Sequence, residues 1–237
     1  MVRSITVTSV VDAVVNDLKR LVLDKELPPG SALTENDVAE RYDVARATAK
    51  AAIERLVSDK VLDRSNHKTA RVVMLGPNDV RDIYNSRIYL ESEVLRRLAK
   101  LRRYPAESRA ANEEIRSMWS QGVWDITEPD MRFHTSLVAY LKSPRTKRMY
   151  QSLAFEVRLC MSQLQGTQRL SPEIIIAEHG KLLDFIEQGD GVGAAALLDE
   201  HLSRARELLA GSLGGVSGRE AFVSSSALTA DSPVPSI

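Results

Sequence analysis

The stretch PGSALTENDVAERYDVARATAKAAIERLVSDKVL, residues Pro29 to Leu62, decides the fold of the first part of the chain. It contains two short helical patterns, about 35–41 and 45–58, and only Tyr42-Asp43-Val44 separates them. A helix, a tight turn and a second helix form the helix-turn-helix arrangement. The stretch therefore predicts a compact pair of helices with little room for a connecting loop.

An apolar helix precedes this pair, and two short strands follow it. Residues 10–23 place their valines and leucines on one helical face, and LPPG at 27–30 predicts a firm turn after them. The segments VLDRS (61–65) and ARVVM (70–74) predict two strands around a polar tip. Residues 1–75 are therefore expected to form a winged helix-turn-helix domain of three helices and a two-stranded wing.

The sequence pattern of the remaining chain predicts helices, so the expected fold class is mainly α. Residues 76–79 are expected to be a linker and residues 80–211 an all-α helical bundle, in which helices start near Pro105, Thr127, Ser143 and Ser171. Gly189-Asp190 separates the last two helices, about 172–188 and 192–211. Residues 212–237 are rich in Gly, Ser, Ala and Pro, without a periodic apolar face, and are expected to be a disordered tail.

Composition narrows the class of protein. The 237 residues are 43% hydrophobic and 27% charged, as in a globular protein with a sizeable core. Cys160 is the single cysteine, so no intrachain disulfide forms, and its apolar helix predicts a core position. No apolar run approaches the ~20 residues of a membrane-spanning helix. We expect a cytoplasmic protein with no membrane partner.

Positive charge is concentrated around the predicted second helix and wing. Between residues 41 and 71 there are eight basic and four acidic residues, a local net charge of +4, although Lys+Arg and Asp+Glu are equal at 32 over the whole chain. Arg46 and Lys50 lie four residues apart near the helix start, so they project together. A basic helix alone is more often a solvated surface, but the order of turn, helix and wing favours binding of double-stranded DNA.

The quoted stretch resembles the N-terminal winged helix of the GntR family of bacterial transcription regulators. Matching positions include Pro29-Gly30, Leu33, Glu35, Val38-Ala39, Val44, Arg46, Ala52 and Leu56. The resemblance implies an operator contacted by the second helix and the wing, with Arg46, Thr48, Lys50, His67 and Lys68 as DNA-binding candidates. The family usually has serine where this chain has Ala45, which removes the expected N-cap of that helix, a loss of about 1 kcal/mol.

A second pattern, TEPDMRFHTSL (Thr127 to Leu137), places Asp130 four residues before His134. This spacing lets two side chains bind one ion from a single helix. The ordinary alternative is a capping box between Thr127 and Asp130, with His134 as a core residue. Taken alone, the pattern leaves both interpretations open.

Two further histidines favour the metal site. His179 lies about ten residues before the Gly189-Asp190 turn, and His201 lies about eleven residues after it. An antiparallel helix pair joined at this turn brings both imidazoles to one level of a bundle, where Asp130 and His134 can complete a mixed nitrogen and oxygen ligand set. Such a set suits a divalent ion, Zn, Ni, Mn or Fe.

The order DxxxH, EH with a following GD, and a final H resembles the FCD effector domain of the FadR subfamily of GntR regulators. The helix DIYNSRIYLESEVLRRLAK adds the matching Arg87, Leu90 and Glu91. The resemblance implies that Asp130, His134, His179 and His201 are metal ligands and that Arg87 lines an effector cavity. The ordinary alternative for Arg87 is an ion pair with Glu91, one helical turn on.

These patterns together predict a metabolite-responsive bacterial transcription regulator. We expect a homodimer that binds an inverted-repeat operator and whose helical domain holds the metal and a small organic-acid effector. One alternative is a metal-dependent enzyme, because three histidines and a carboxylate with open positions can activate water. Another keeps the winged helix but uses it for protein contacts.

Overall fold

The computed structural model of the chain describes residues 9–64, 69–163 and 171–214. These residues form two compact units. The first comprises the described residues up to Leu75 together with Arg158–Gln163, and the second comprises Gly76–Val157 together with the described residues from 171 on. The architecture is mainly helical with one small antiparallel sheet, which confirms the predicted fold class.

The first unit has the three helices that the sequence predicts. The helices and strands are α1 (Val10–Leu23), β1 (Ala32–Leu33), α2 (Glu35–Tyr42), α3 (Arg46–Ser58), β2 (Leu62–Asp63) and β3 (Ala70–Val72). Both α1 and α2 pack against α3. Fully buried aliphatic side chains from all three helices, among them Leu18, Val38 and Ile53, form the core.

The sheet of the first unit contains one strand more than the sequence predicts. Its order is β1-β3-β2, and both pairings are antiparallel. In the additional pairing Ala32 lies opposite Arg71 and Leu33 opposite Ala70. A strand of two residues is too short to show an alternating pattern, so sequence periodicity could not predict β1. The predicted wing tip at 66–69 falls largely outside the described residues, which omit 65–68.

The N-termini of α2 and α3 are stabilised differently. Thr34 caps α2 by accepting a hydrogen bond from the Asp37 backbone N–H, and the Asp37 carboxylate accepts one from the Thr34 N–H, forming a capping box. Ala45 occupies the same position before α3 and provides no side-chain hydrogen bond. The first turn of α3 therefore lacks the stabilisation that a hydroxyl or carboxylate would give.

The second unit is a bundle of six long helices in the part of the chain that the structure describes. They are α4 (Pro77–Leu101), α5 (Ala106–Ser120), α6 (Thr127–Tyr140), α7 (Pro144–Gln163, of which the last six residues belong to the first unit), α8 (Pro172–Gln188) and α9 (Gly191–Ser212). Helix α4 packs mainly against α9, α5 packs against α6 and α8, and α8 packs against α9.

The predicted linker at 76–79 is not a separate segment. Helix α4 begins at Pro77, where the missing N–H costs nothing and the fixed φ suits the first helical turn. The Asp79 side chain also accepts a hydrogen bond from the Gly76 backbone N–H, at 2.8 Å. These two contributions extend the helix back to the boundary between the units.

The connection between α8 and α9 depends on two glycines. Gly189 has a φ of 83° and ends α8 in the left-handed conformation, which suits glycine. A Cβ at Gly191 would lie 3.0 Å from the Arg96 Cα, so glycine lets the start of α9 lie directly against α4. This short connection makes α8 and α9 an antiparallel pair, as the sequence predicts.

Three remaining expectations concern the chain end, the cysteine and membranes. Helix α9 ends at Ser212, and the predicted tail lies outside the described residues from 215 on. Cys160 is fully buried, in agreement with the predicted core position. Among the described residues, no helix has both the length and the apolar character needed to cross a bilayer.

Candidate metal centre

Four side chains from three helices of the second unit meet in its interior. Asp130 and His134 lie one turn apart on α6, His179 on α8 and His201 on α9, and all four are buried. One ligand atom from each lies within 4.8 Å of the others. The structure thus brings together the four residues that the sequence singles out as metal ligands.

The capping role considered for Asp130 is wrong. Helix α6 has Ile126, not Thr127, at its N-cap and no side-chain capping hydrogen bond. The Thr127 N–H instead donates to the Asp125 carboxylate, at 3.2 Å. The Asp130 Oδ1 atom lies 3.5 Å from His179 Nε2 and 3.9 Å from His134 Nε2. The Asp130 carboxylate therefore faces the imidazoles rather than the helix end.

Several ring nitrogens at this cluster have no hydrogen-bond partner. They are His134 Nε2, His179 Nδ1 and His179 Nε2. Buried polar atoms are nearly always paired, so unpaired nitrogens beside a carboxylate need an explanation. Nitrogen and oxygen ligands bond Zn²⁺ at about 2.0–2.2 Å, which allows about 4.4 Å between any two of them. The unpaired atoms fit a metal ion held by these four residues, and an ion would draw the ligand atoms, which lie within 4.8 Å of one another, slightly closer together.

Two of the three imidazoles are oriented by glutamates. His134 Nδ1 lies 2.6 Å from Glu91 Oε2, and His201 Nδ1 lies 2.7 Å from Glu178 Oε2. A carboxylate can only accept, so each Nδ1 carries the proton and each Nε2 keeps its lone pair. Carboxylate partners of this kind orient metal-binding histidines and raise their basicity. Sequence spacing gives no signal for these contacts, because the partners are 43 and 23 residues apart.

His179 is held by stacking instead. Its ring lies parallel to Phe133, with centroids 3.7 Å apart and an angle of 2° between the planes. Burial holds the pKa of His179 well below its usual value, and the neighbouring His134, His201 and Arg87 act in the same direction. The ring is therefore neutral at pH 7, and neutral imidazole is the form that binds a metal ion.

A buried ion pair adjoins His134. Arg87 Nε donates to Glu91 Oε1 at 2.8 Å, and the Tyr150 hydroxyl donates to the same oxygen at 2.7 Å. Burial acts to raise the pKa of Glu91, but the Arg87 charge, His134 and the Tyr150 hydrogen bond together outweigh it and hold that pKa well below the usual range. The ordinary alternative for Arg87, a pair with Glu91, is thus present. Nevertheless Arg87 Nη2 is buried without a hydrogen-bond partner.

The DNA-binding candidates of the first unit have different surroundings. The Arg46 side chain is 72% exposed, with its Nε 3.2 Å from Glu35 Oε2, and the exposed Lys50 lies 3.8 Å from Glu54. Thr48 is half-buried. Exposed ion pairs of this kind contribute little stability, so both cations can exchange partners. The candidates His67 and Lys68 lie outside the described residues.

Two known protein families match this chain, and the two matched ranges correspond to the two units. The sequence profile of the FCD domain matches residues 82–204, more than half of the chain, and that of the gntR family of bacterial regulatory proteins matches residues 10–72. This chain belongs to the GntR family and carries an FCD domain. The family members are transcription regulators, not enzymes, so the metal-dependent enzyme considered from the sequence is set aside.

Individual relatives of this GntR-family regulator are distant. It is 30% identical to the transcriptional regulator BphR of Paraburkholderia xenovorans (strain LB400) over 90 residues, 38% of this chain and 37% of that protein. It is 22% identical to YdhC of Bacillus subtilis (strain 168) over 185 residues, 73% of this chain and 79% of that protein. A GntR transcriptional regulator from Rhodococcus sp. RHA1 shares its fold, with a TM-score of 0.72 and 21% identity, over 86% of this chain and 99% of the other.

Proposed function

We propose that this GntR-family regulator acts in the cytoplasm as a homodimer on an inverted-repeat operator, and that its FCD domain holds a divalent metal and a small organic acid. The observation that carries the proposal is the buried cluster of one aspartate and three histidines. Three of its ring nitrogens lack partners within the protein, and two of its imidazoles are already oriented by carboxylates.

Asp130, His134, His179 and His201 would hold the ion. Three neutral imidazoles and one carboxylate suit Zn, Ni, Mn or Fe, and the ligand types alone do not choose among them. The ion supplies a site at which a carboxylate can coordinate. Four protein ligands leave positions open for such a group when the ion takes five or six ligands.

The charges around the cluster support an acidic effector. Arg87 and Glu91 neutralise each other, and Asp130 neutralises one of the two charges of a divalent ion. One buried positive charge then remains, and burial of an unpaired charge is costly. A carboxylate would neutralise that charge, and it would find a donor in Arg87 Nη2, which has no other partner.

DNA binding is assigned to α3 and the wing. Arg46 and Lys50 project from the first turns of α3, where a recognition helix contacts base edges in the major groove. A two-fold dimer presents two such helices, so its operator would be an inverted repeat. The acid would act by binding the two arrangements of the dimer with different affinity, which is a coupling of binding free energies.

Native mass spectrometry of the purified full-length protein tests the assembly and its contents together. We expect the mass of a dimer with one metal ion per chain and, where the acid co-purifies, one small acid per chain. Elemental analysis then identifies the ion. A protein that carries no metal and shows no thermal stabilisation by added Zn, Ni or Mn would contradict the metal part of the proposal.

The acid is identified by thermal shift against hydroxy-, keto- and sugar acids. Arg87→Lys keeps a positive charge opposite Glu91 but loses the guanidinium geometry. We therefore expect it to keep its metal and to lose most of the stabilisation by an acid that stabilises the wild type. An undiminished response would remove Arg87 from the effector site.

A further inference from the structure

The two carboxylate oxygens of Glu91 contact different side chains in the interior of the FCD domain. Oε2 lies 2.6 Å from His134 Nδ1, and Oε1 accepts hydrogen bonds from Arg87 Nε at 2.8 Å and from Tyr150 at 2.7 Å. Glu91 is only 3% exposed. One buried side chain on α4 therefore contacts both a candidate metal ligand and the candidate acid-binding arginine.

His134 and Arg87, which both contact Glu91, each have one buried nitrogen without a hydrogen-bond partner. These atoms are His134 Nε2 and Arg87 Nη2. A purely structural ion pair between Arg87 and Glu91 would not need His134, and it would not leave these two nitrogens unpaired. Buried donors and acceptors without partners are unfavourable, so a group that binds those two atoms would stabilise the arrangement.

We infer that Glu91 is a positioning residue shared by the metal and acid halves of the site. This inference rests on the proposed function. Glu91 fixes the proton of His134 on Nδ1, which directs the Nε2 lone pair toward Asp130 and the ion. By binding Nε of Arg87 it also holds the guanidinium so that Nη2 stays free for a carboxylate.

The contact between Glu178 and His201 provides a matched comparison. Glu178 also accepts from a histidine Nδ1, at 2.7 Å, but its second oxygen binds Arg204, whose side chain is 40% exposed. Glu178 therefore orients one ligand and then connects to the surface. Glu91 differs because its second oxygen connects to the buried Arg87.

The first test uses the metal-free protein and therefore does not depend on metal binding. Nitrogen-15 NMR of the histidine side chains distinguishes protonation at Nδ1 from protonation at Nε2. In the wild type we expect His134 to be protonated at Nδ1. In Glu91→Gln the amide can donate as well as accept, so we expect the Nε2-protonated form to appear. An unchanged His134 spectrum would overturn the inference.

The second test uses Co²⁺, whose visible absorption reports its ligands. We expect Glu91→Gln to weaken Co²⁺ binding about 10–100-fold and to change the spectrum, as loss of a carboxylate behind a ligand does. The control is Glu93→Gln on the same helix. Glu93 accepts from Arg97 Nε at 2.8 Å but is 54% exposed, and its loss should leave both readouts unchanged.

The outcomes separate the inference from the proposed function. Failure of the wild type to bind Co²⁺ would overturn the metal proposal, and the His134 spectra would still decide the role of Glu91. Wild-type Co²⁺ affinity in Glu91→Gln would overturn the inference and leave the metal proposal standing. If Glu91→Gln does not fold, the double variant Arg87→Met, Glu91→Gln removes both buried charges together, and the same loss of Co²⁺ affinity is expected.

Discussion

Acidification should destabilise the metal-free FCD domain through His179. The ring is fully buried, and neither of its nitrogens has a hydrogen-bond partner. Burial lowers the pKa of the folded ring well below that of the unfolded chain, which is about 6.5. The unfolded state therefore takes up the proton first. The contribution of neutral His179 to the free energy of unfolding is therefore complete above about pH 6.5, and it is lost as the pH falls below that value.

The size of the effect follows from this single proton. Between pH 7.5 and 5.5, a histidine that ionises only when unfolded lowers the free energy of unfolding by about 1.4 kcal/mol. The buried carboxylate of Glu91 and the half-buried one of Glu178 have lowered pKa values, so they lose stabilisation only below their unfolded values near 4.3. Neither carboxylate therefore changes the free energy of unfolding between pH 7.5 and 5.5.

Urea unfolding in the presence of a chelator measures this quantity. The two tryptophans, Trp119 and Trp124, both lie in the second unit, so their fluorescence reports on the FCD domain alone. In His179→Leu, which keeps an apolar contact with Phe133, the loss between pH 7.5 and 5.5 should shrink by about 1.4 kcal/mol. An equal pH dependence in the wild type and this variant would refute the reasoning.

Three further results are expected. Ala45→Ser should stabilise the first unit by about 1 kcal/mol in chemical denaturation, because it supplies the missing N-cap of α3; no gain would mean that the α3 N-terminus is stabilised in another way. Arg46→Ala should weaken binding to a selected operator and relax base preference in fluorescence anisotropy, and unchanged binding would exclude Arg46 from the interface. His201→Ala should abolish stoichiometric zinc in elemental analysis after gel filtration, whereas full retention would exclude His201 as a ligand.

The sequence predicts the helices well because their signals are local. The apolar face of residues 10–23 coincides with α1, and the predicted helix 172–188 coincides with α8. The boundary between the units was harder to predict from the sequence, because Pro77 and Asp79 extend α4 into the predicted linker. A strand as short as β1 depends on its partner β3 rather than on its own composition.

The candidate ligands were predictable for a geometric reason. His179 and His201 lie at nearly equal distances from one helix turn, so an antiparallel pair brings them to the same level. The groups around them were not predictable in this way. Tyr150 meets Glu91 across 59 residues, and no periodicity relates positions on helices that are not neighbours in the chain. The capping box considered as an alternative for Asp130 does not form, because α6 begins one residue earlier than that pattern requires.

The distribution of the four candidate ligands along the chain sets when an ion can be captured during protein synthesis. His201 follows Asp130 by 71 residues and lies on the last of the described helices. At about 5–20 residues per second, the ribosome adds His201 about 4–14 s after Asp130. A nascent chain that has not yet reached α9 presents only three of the ligands. Stable loading of the ion would therefore wait until α9 has been synthesised, and transcripts truncated before α9 would yield proteins unable to retain it.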